Sequence, residues 1–115
     1  MELNQAIIEA IQNVKGKHIV DIDLSKIENA ICSNFIICEG GSNTQVNAIA
    51  DSISKYVKTE TQTNPIGKEG TNEAEWIIMD YGSVMVHVFQ RPIREHYNLE
   101  GLWADGVINE IPDVE

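Results

Sequence analysis

The stretch EWIIMDYGSVMVHVFQ, residues 75–90, constrains the fold of this chain more than any other. Two runs rich in aliphatic residues flank a short segment of turn-forming residues, a pattern that predicts a β-hairpin. With the turn centred on the Tyr-Gly pair, Trp76 lies opposite His87 and Ile78 lies opposite Met85. Because side chains alternate between the two faces of a strand, this hairpin has two chemically different faces.

One hairpin face is aliphatic apart from a single Met and is predicted to pack under helices: Ile77, Met79, Val84, Val86 and Val88. The other face contains Trp76, Ile78, Met85, His87 and Phe89. Trp is enriched at the energetic centres of interfaces, and Met suits adaptable contact surfaces. The hypothesis is that this second face is partly exposed and contacts a partner. The alternative, that it is also core with His87 satisfied by a neighbour, has equal weight, since a three-residue turn would change the parity.

The spacing of apolar residues predicts further elements in the first half of the chain. Residues 2–14 carry a stripe at helical spacing, and Gly16 follows at a favoured C-terminal position. HIVDIDL is typical of a short strand, and NFIIC of a strand buried on both faces. Ser42 and Gln45 fit a capping box at the start of a second helix. The apolar stripe of that helix comprises Val46, Ile49, Ile53, Tyr56 and Val57.

The second half of the chain adds an edge strand within residues 59–70, where Pro65 is tolerated, the hairpin, and a short helix over 91–103 with Pro92 in its first turn. The last residues, 105–115, are acidic and predicted to form a loose or lightly docked tail. The element order predicts an α/β fold with a single mixed β-sheet of about five strands and flanking helices. The predicted domain spans residues 1–104.

The charge balance of the chain restricts its partners. Among 115 residues, 8 are Lys or Arg and 18 are Asp or Glu, a net charge of −10. This excess of acids argues against binding nucleic acid through its phosphates and favours a basic partner, although it also serves solubility alone. No apolar run approaches the ~20 residues of a membrane helix, and the N-terminus lacks a signal-peptide pattern. These features and two cysteines predict a cytoplasmic protein with reduced thiols.

Catalytic patterns in the sequence are incomplete. Gly-Gly-Ser at 40–42 resembles the opening of a nucleotidyltransferase site, which needs two acids one residue apart about ten residues later. Here Asp51 is present, but position 53 is Ile. A nucleophile from Cys32 or Cys38 paired with His18, His87 or His96 is possible in composition, but nothing in the sequence brings such a pair together. We therefore expect no enzyme activity, no metal and no cofactor.

Three blocks in order carry a family resemblance: SNFIICEGGSNTQVNAIADSI, EWIIMDYGSVMVHVFQ and REHYNLEGLW. Together they resemble the ribosomal silencing factor family, also called the Iojap-related family, over about residues 21–103. The resemblance implies a nucleotidyltransferase-like core without the catalytic acids. It also implies binding to the large ribosomal subunit through ribosomal protein uL14, which blocks joining of the small subunit and represses translation under nutrient limitation, by a monomer or homodimer.

The family's contact surface carries over to Trp76 and Tyr97 in this sequence, and the hairpin-face argument adds Ile78, Met85 and His87. The chain departs from the family pattern in two turns. The hairpin Tyr is followed by Gly-Ser where the family usually has Gly-Asp, and a Ser stands at position 33, where an acid is frequent. Two other functions stay open: a nucleotide-handling enzyme and a generic protein-binding adaptor.

Overall fold

The computed structural model describes residues 1–114, and ten elements form one mixed sheet with helices. In chain order they are α1 (Leu3–Asn13), β1 (Lys17–Asp23), β2 (Asn34–Gly40), α2 (Asn43–Thr61), β3 (Gly67–Glu69), β4 (Trp76–Asp80), β5 (Val84–Gln90), α3 (Arg91–Tyr97), α4 (Leu99–Leu102) and β6 (Val107–Ile111). The strand order is β3-β4-β5-β2-β1-β6. Strands β2 and β5 are parallel, and the other neighbours are antiparallel.

This architecture confirms the predicted mixed α/β fold with one sheet, although the sheet has six strands instead of about five. The additional strand, β6, lies within the segment expected to be a tail and pairs with β1. Four of its five residues are exposed, so the segment lacks the apolar pattern by which a half-buried strand is recognised. The division between a domain at 1–104 and a tail at 105–115 stays a prediction, and Glu115 lies outside the described residues.

Helices α1 and α2 pack together on one face of the sheet, called here the helix-covered face. Along α2 the predicted apolar stripe is buried at every position except Tyr56, which is half-buried. Fully burying an aliphatic side chain contributes about 1.5–3 kcal/mol, so these helices supply much of the folding free energy. The sheet residues beneath them are Ile19, Ile36, Cys38, Ile77, Met79, Val84, Val86 and Val88.

The ends of both helices are set by local hydrogen bonds. The Ser42 hydroxyl accepts from the backbone N–H of Gln45 (3.1 Å), which confirms the predicted cap, while the Gln45 side chain accepts from the N–H of Gly41 (2.7 Å). We expected Gly16 at the C-terminal position of α1, but the left-handed residue at that end is Lys15 (φ 58°). Gly16 is required for a different reason, because a Cβ at this position would clash with the Ile11 side chain.

The hairpin register differs from the prediction by two residues. Ile78 lies opposite His87 as its Cα partner, Trp76 lies opposite Phe89, and the two-residue turn is Gly82-Ser83. The Asp80 carboxylate accepts from the N–H of Gly82 (2.7 Å), whose φ of 83° suits glycine. A shift by an even number keeps each side chain on its predicted face, so the assignment of the two faces is confirmed.

Candidate protein-binding site

The second face of the sheet, called here the aromatic face, carries Trp76, Ile78, Met85, His87 and Phe89. It is covered only in part, by α3, α4 and the loop between β1 and β2. The buried centre of this face comprises Val20, Ile22, Leu24, Phe35, Ile37 and Phe89. Trp76 and Met85 lie at its border and are half-buried. The aromatic face therefore has a core of its own and an open side along β4.

Trp76 and Tyr97 form an aromatic pair at that open side. The Trp76 ring stacks on Phe89 with centroids 4.9 Å apart, and it also packs against Tyr97, at 4.7 Å. Tyr97 is the last residue of α3 and is 52% exposed. Asn98 ends the helix in the left-handed conformation (φ 47°), a position at which Asn is tolerated. Trp76 and Tyr97, which were predicted as contact residues from separate sequence blocks, are therefore in contact with each other.

His87 lies beneath this pair and is only 4% exposed. Its Nδ1 accepts a hydrogen bond from Trp76 Nε1 at 3.1 Å. Since an indole N–H can only donate, Nδ1 carries no proton, and the neutral ring has its proton on Nε2. Nε2 is buried and has no partner within residues 1–114. Desolvation by burial lowers the pKa of His87 from 6.5 to about 4, so the imidazole is neutral at physiological pH.

Of the five predicted contact residues, four have side chains that reach the surface in whole or part. Tyr97 is exposed, while Trp76, Ile78 and Met85 are half-buried. His87 is different, because its burial leaves almost no surface for a partner. Its burial and its hydrogen bond to Trp76 match the alternative raised from the sequence, in which His87 is a core residue satisfied by a neighbour. Participation of the other four in an interface stays a prediction.

A groove of about 610 Å³ opens beside the aromatic pair, between α3 and the loop before β4. Carboxylates from Glu69, Glu73 and Glu75 are among its lining residues. The lining also includes Lys68, but its Nζ forms an ion pair with Asp51 of α2 at 3.7 Å. The charge of Lys68 is therefore offset by an acid outside the groove. The groove therefore combines aromatic rings with an excess of negative charge.

Comparisons with known proteins place this fold in one family. A family model described as ribosomal silencing factor during starvation matches residues 1–115. The chain is a member of the ribosomal silencing factor family. Ribosomal silencing factor RsfS of Haemophilus influenzae is 42% identical, with 90% of this chain and all of the relative covered. RsfS of Chromobacterium violaceum is 37% identical over 90% of this chain and 83% of the relative.

A crystal structure from Chromobacterium violaceum is similar to this chain with a TM-score of 0.83 and 36% identity, covering 90% of this chain and 88% of the other. The resemblance predicted from the three sequence blocks is thus confirmed. The match also extends beyond residues 21–103 to the whole chain. In this ribosomal silencing factor, the sheet, the hairpin and α3 together build the aromatic pair.

Arg94, on the same helix as Tyr97, is a residue that sequence reasoning missed. It is 7% exposed, and its Nη1 donates to the Glu39 carboxylate (2.9 Å) and to the His18 carbonyl (2.7 Å). Its Nε and Nη2 donate to the two Glu100 carboxylate oxygens (3.1 and 3.3 Å). His18, whose carbonyl accepts from Arg94, is left-handed (φ 52°) and lies at a β-bulge in β1. Arg94 thereby ties α3 and α4 to β1 and β2, and no sequence motif announces this role.

The catalytic patterns raised by the sequence do not come together in this family member. Ser42 caps α2, Asp51 is an exposed partner of Lys68, and the position two residues after it is a buried Ile. Cys38 is buried on the helix-covered face, where desolvation raises the pKa of its thiol to about 12. Burial also raises the pKa of the half-buried Cys32 thiol. Neither thiol is therefore a ready nucleophile at neutral pH.

Within residues 1–114, no group of three or more His, Cys, Asp and Glu side chains could hold a metal ion. No helix in the same range is both long and apolar enough to cross a membrane.

Proposed function

We propose that this ribosomal silencing factor binds the large ribosomal subunit through ribosomal protein uL14 and blocks joining of the small subunit. The expected consequence is repression of translation under nutrient limitation, in the cytoplasm and without an enzymatic step. The observation that carries the proposal is the Trp76–Tyr97 pair at the open side of the aromatic face. The family assignment and the acidic groove beside the pair support it.

The aromatic pair has the properties of an interface centre. Trp and Tyr supply large contact areas and are enriched among residues that dominate binding energy. Here the Trp76 ring already rests on Phe89 and Tyr97, so little ordering is needed when a partner covers it. Ile78 and Met85 continue the half-buried apolar surface along the hairpin.

The charge of the groove suits a ribosomal partner. Ribosomal proteins are mostly basic, and complementary charge increases the rate of encounter and fixes orientation. The net charge of −10 acts over the whole molecule, whereas Glu69, Glu73 and Glu75 place carboxylates next to the aromatic pair. A basic surface could therefore meet both features at once.

The size of the protein is sufficient for a steric block. Its principal extents are 35 × 33 × 28 Å. A body of this size bound on the surface where the subunits meet would hold them apart by far more than the few ångströms of a hydrogen-bonded contact. No catalysis is needed for such an effect.

Sedimentation with separated ribosomal subunits tests the proposal. We expect the wild-type protein to sediment with the large subunit and to suppress the joined-ribosome peak. Trp76→Ala should weaken binding by ~2 kcal/mol or more because it removes the centre of the contact. Ile108→Ala, on β6 at the opposite edge of the sheet, is the matched control and should bind like the wild type.

Two results would contradict the proposal. The first is a wild-type protein that stays at the top of the gradient while subunits join normally. The second is wild-type affinity in a folded Trp76→Ala variant, which would remove Trp76 from the interface. A dominant non-ribosomal partner in a pull-down would favour the adaptor function instead.

A further inference from the structure

We propose that His87 is a positioning residue, whose Nδ1 holds the Trp76 indole in the orientation that presents the aromatic pair to a partner. The inference rests on the proposed function and deepens it. It assigns to a buried residue the control of an exposed surface. Direct contact between His87 and the partner is not part of this role.

The first support is the direction of the hydrogen bond. Trp76 Nε1 has one proton to donate, and His87 Nδ1 accepts it at 3.1 Å. Turning the indole over would break this bond and leave both imidazole nitrogens without a partner, since Nε2 has none already. Buried polar groups without partners are strongly disfavoured, so the hydrogen bond selects one indole orientation.

The second support is the rigidity of the acceptor. The His87 ring lies nearly parallel to Phe89, with an interplanar angle of 14° and centroids 6.1 Å apart. Phe35 packs edge-on against it at 4.7 Å. These two rings come from neighbouring strands of the sheet and leave the imidazole little freedom to turn. The orientation imposed on Trp76 is therefore fixed by the sheet itself.

The third support is the stability cost of having histidine at this position. Its Nε2–H is buried without a partner, and its neighbours on the aromatic face are apolar. A Leu or Phe would fill such a site without that cost. A buried polar atom without a partner that brings no gain in stability is expected where the residue serves a function. Orientation of Trp76 is the function that the geometry offers.

A fixed indole matters because binding then requires less ordering. Restricting a large side chain before the partner arrives lowers the entropic cost of association. Without the acceptor, the same atoms of Trp76 remain available but occupy several orientations. We therefore expect a loss of affinity of about tenfold, smaller than the loss caused by removing the indole.

Three variants separate positioning from packing. His87→Leu and His87→Phe fill the site but provide no acceptor. His87→Asn restores an acceptor, because its amide oxygen can occupy the place of Nδ1. The first measurement is the NMR signal of the Trp76 indole N–H and its hydrogen exchange in the isolated protein, identified with Trp76→Phe. The Trp103 indole signal serves as the internal reference.

The expected result has two parts. In His87→Leu and His87→Phe the Trp76 indole signal moves and exchanges faster, and affinity for large subunits falls about tenfold. Neither variant loses stability in urea unfolding. His87→Asn recovers both the indole signal and the affinity, which a residue needed only for packing would not do.

Two results would overturn the inference. One is an unchanged Trp76 indole signal in both acceptor-free variants. The other is full affinity despite an altered signal. Failure of the proposed function is distinguishable from these results, because wild-type protein would then not bind large subunits at all. The indole measurement needs no partner and still decides whether His87 orients Trp76.

Discussion

The two faces of the sheet are stabilised in different ways. The helix-covered face is closed by α1 and α2, and its sheet side chains are apolar and almost wholly buried. The aromatic face is covered by α3 of seven residues and α4 of four, and Arg94 anchors these short helices through charged hydrogen bonds. Apolar burial is the main interaction on the first face, whereas the second combines a small core with a buried polar anchor. One sheet thereby supplies both stability, on its closed face, and an open, organised surface on the other.

Removing the polar anchor is expected to have the largest effect. Arg94→Ala should lower the free energy of unfolding by about 3–5 kcal/mol, because it leaves the Glu39 carboxylate buried without its cation. Urea unfolding measures this change. Arg91→Ala is the control, since its pair with Glu95 is exposed and contributes less than about 1 kcal/mol. Equal effects of the two variants would show that α3 is not anchored through Arg94.

Adjacent isoleucines on β4 compare the two faces directly. Ile77 lies fully buried on the helix-covered face, and Ile78 is half-buried on the aromatic face. Ile77→Ala should cost about 2–5 kcal/mol of unfolding free energy, and Ile78→Ala should cost clearly less, because its cavity opens toward solvent. Binding to the large subunit should show the reverse order when both variants are measured folded. Similar losses of stability would contradict the difference in burial.

The pH dependence of stability should distinguish the aromatic face through His87. Its pKa is about 4 in the folded state and 6.5 when unfolded, so between these values the unfolded state binds more protons. Above pH 6.5 His87 is neutral in both states and does not lower the free energy of unfolding. As the pH falls from 6.5 toward 4, protonation in the unfolded state lowers the free energy of unfolding by up to about 3 kcal/mol. Urea unfolding from pH 7.5 to 4.5 measures this loss. His87→Leu is the reference, because its carboxylates titrate as in the wild type and the difference between the two proteins isolates His87. Parallel curves of unfolding free energy against pH for the two proteins would refute the prediction.

Most elements of this fold were predictable because their signals are local. The stripes of α1 and α2, the cap at Ser42 and the alternation along β4 and β5 lie within short windows of sequence. The hairpin register was wrong by two residues, because Tyr81 and Val84 extend the ladder and move the turn to Gly82-Ser83. Since the error was even, the faces were unaffected. β6 was missed because an exposed edge strand carries little apolar patterning.

The candidate site could be predicted only in part. Trp76 and Tyr97 were named from family blocks, and the structure brings them to 4.7 Å. The burial of His87 could not be read from the sequence, because both alternatives are compatible with the same alternation of side chains. The Arg94–Glu39 pair joins residues 55 positions apart, and nothing in either segment indicates the other.

By itself, the sequence determined the class of fold, the family and the division of the hairpin into an aliphatic and an aromatic face. These depend on side-chain periodicity and on blocks of neighbouring residues, which exist before the chain folds. Only the tertiary structure decided how much of each face is covered, where Arg94 finds its acids and that His87 lies beneath Trp76. The physical reason is that burial and hydrogen-bond partners depend on contacts between distant segments. Such contacts are defined only when the sheet and its helices have assembled.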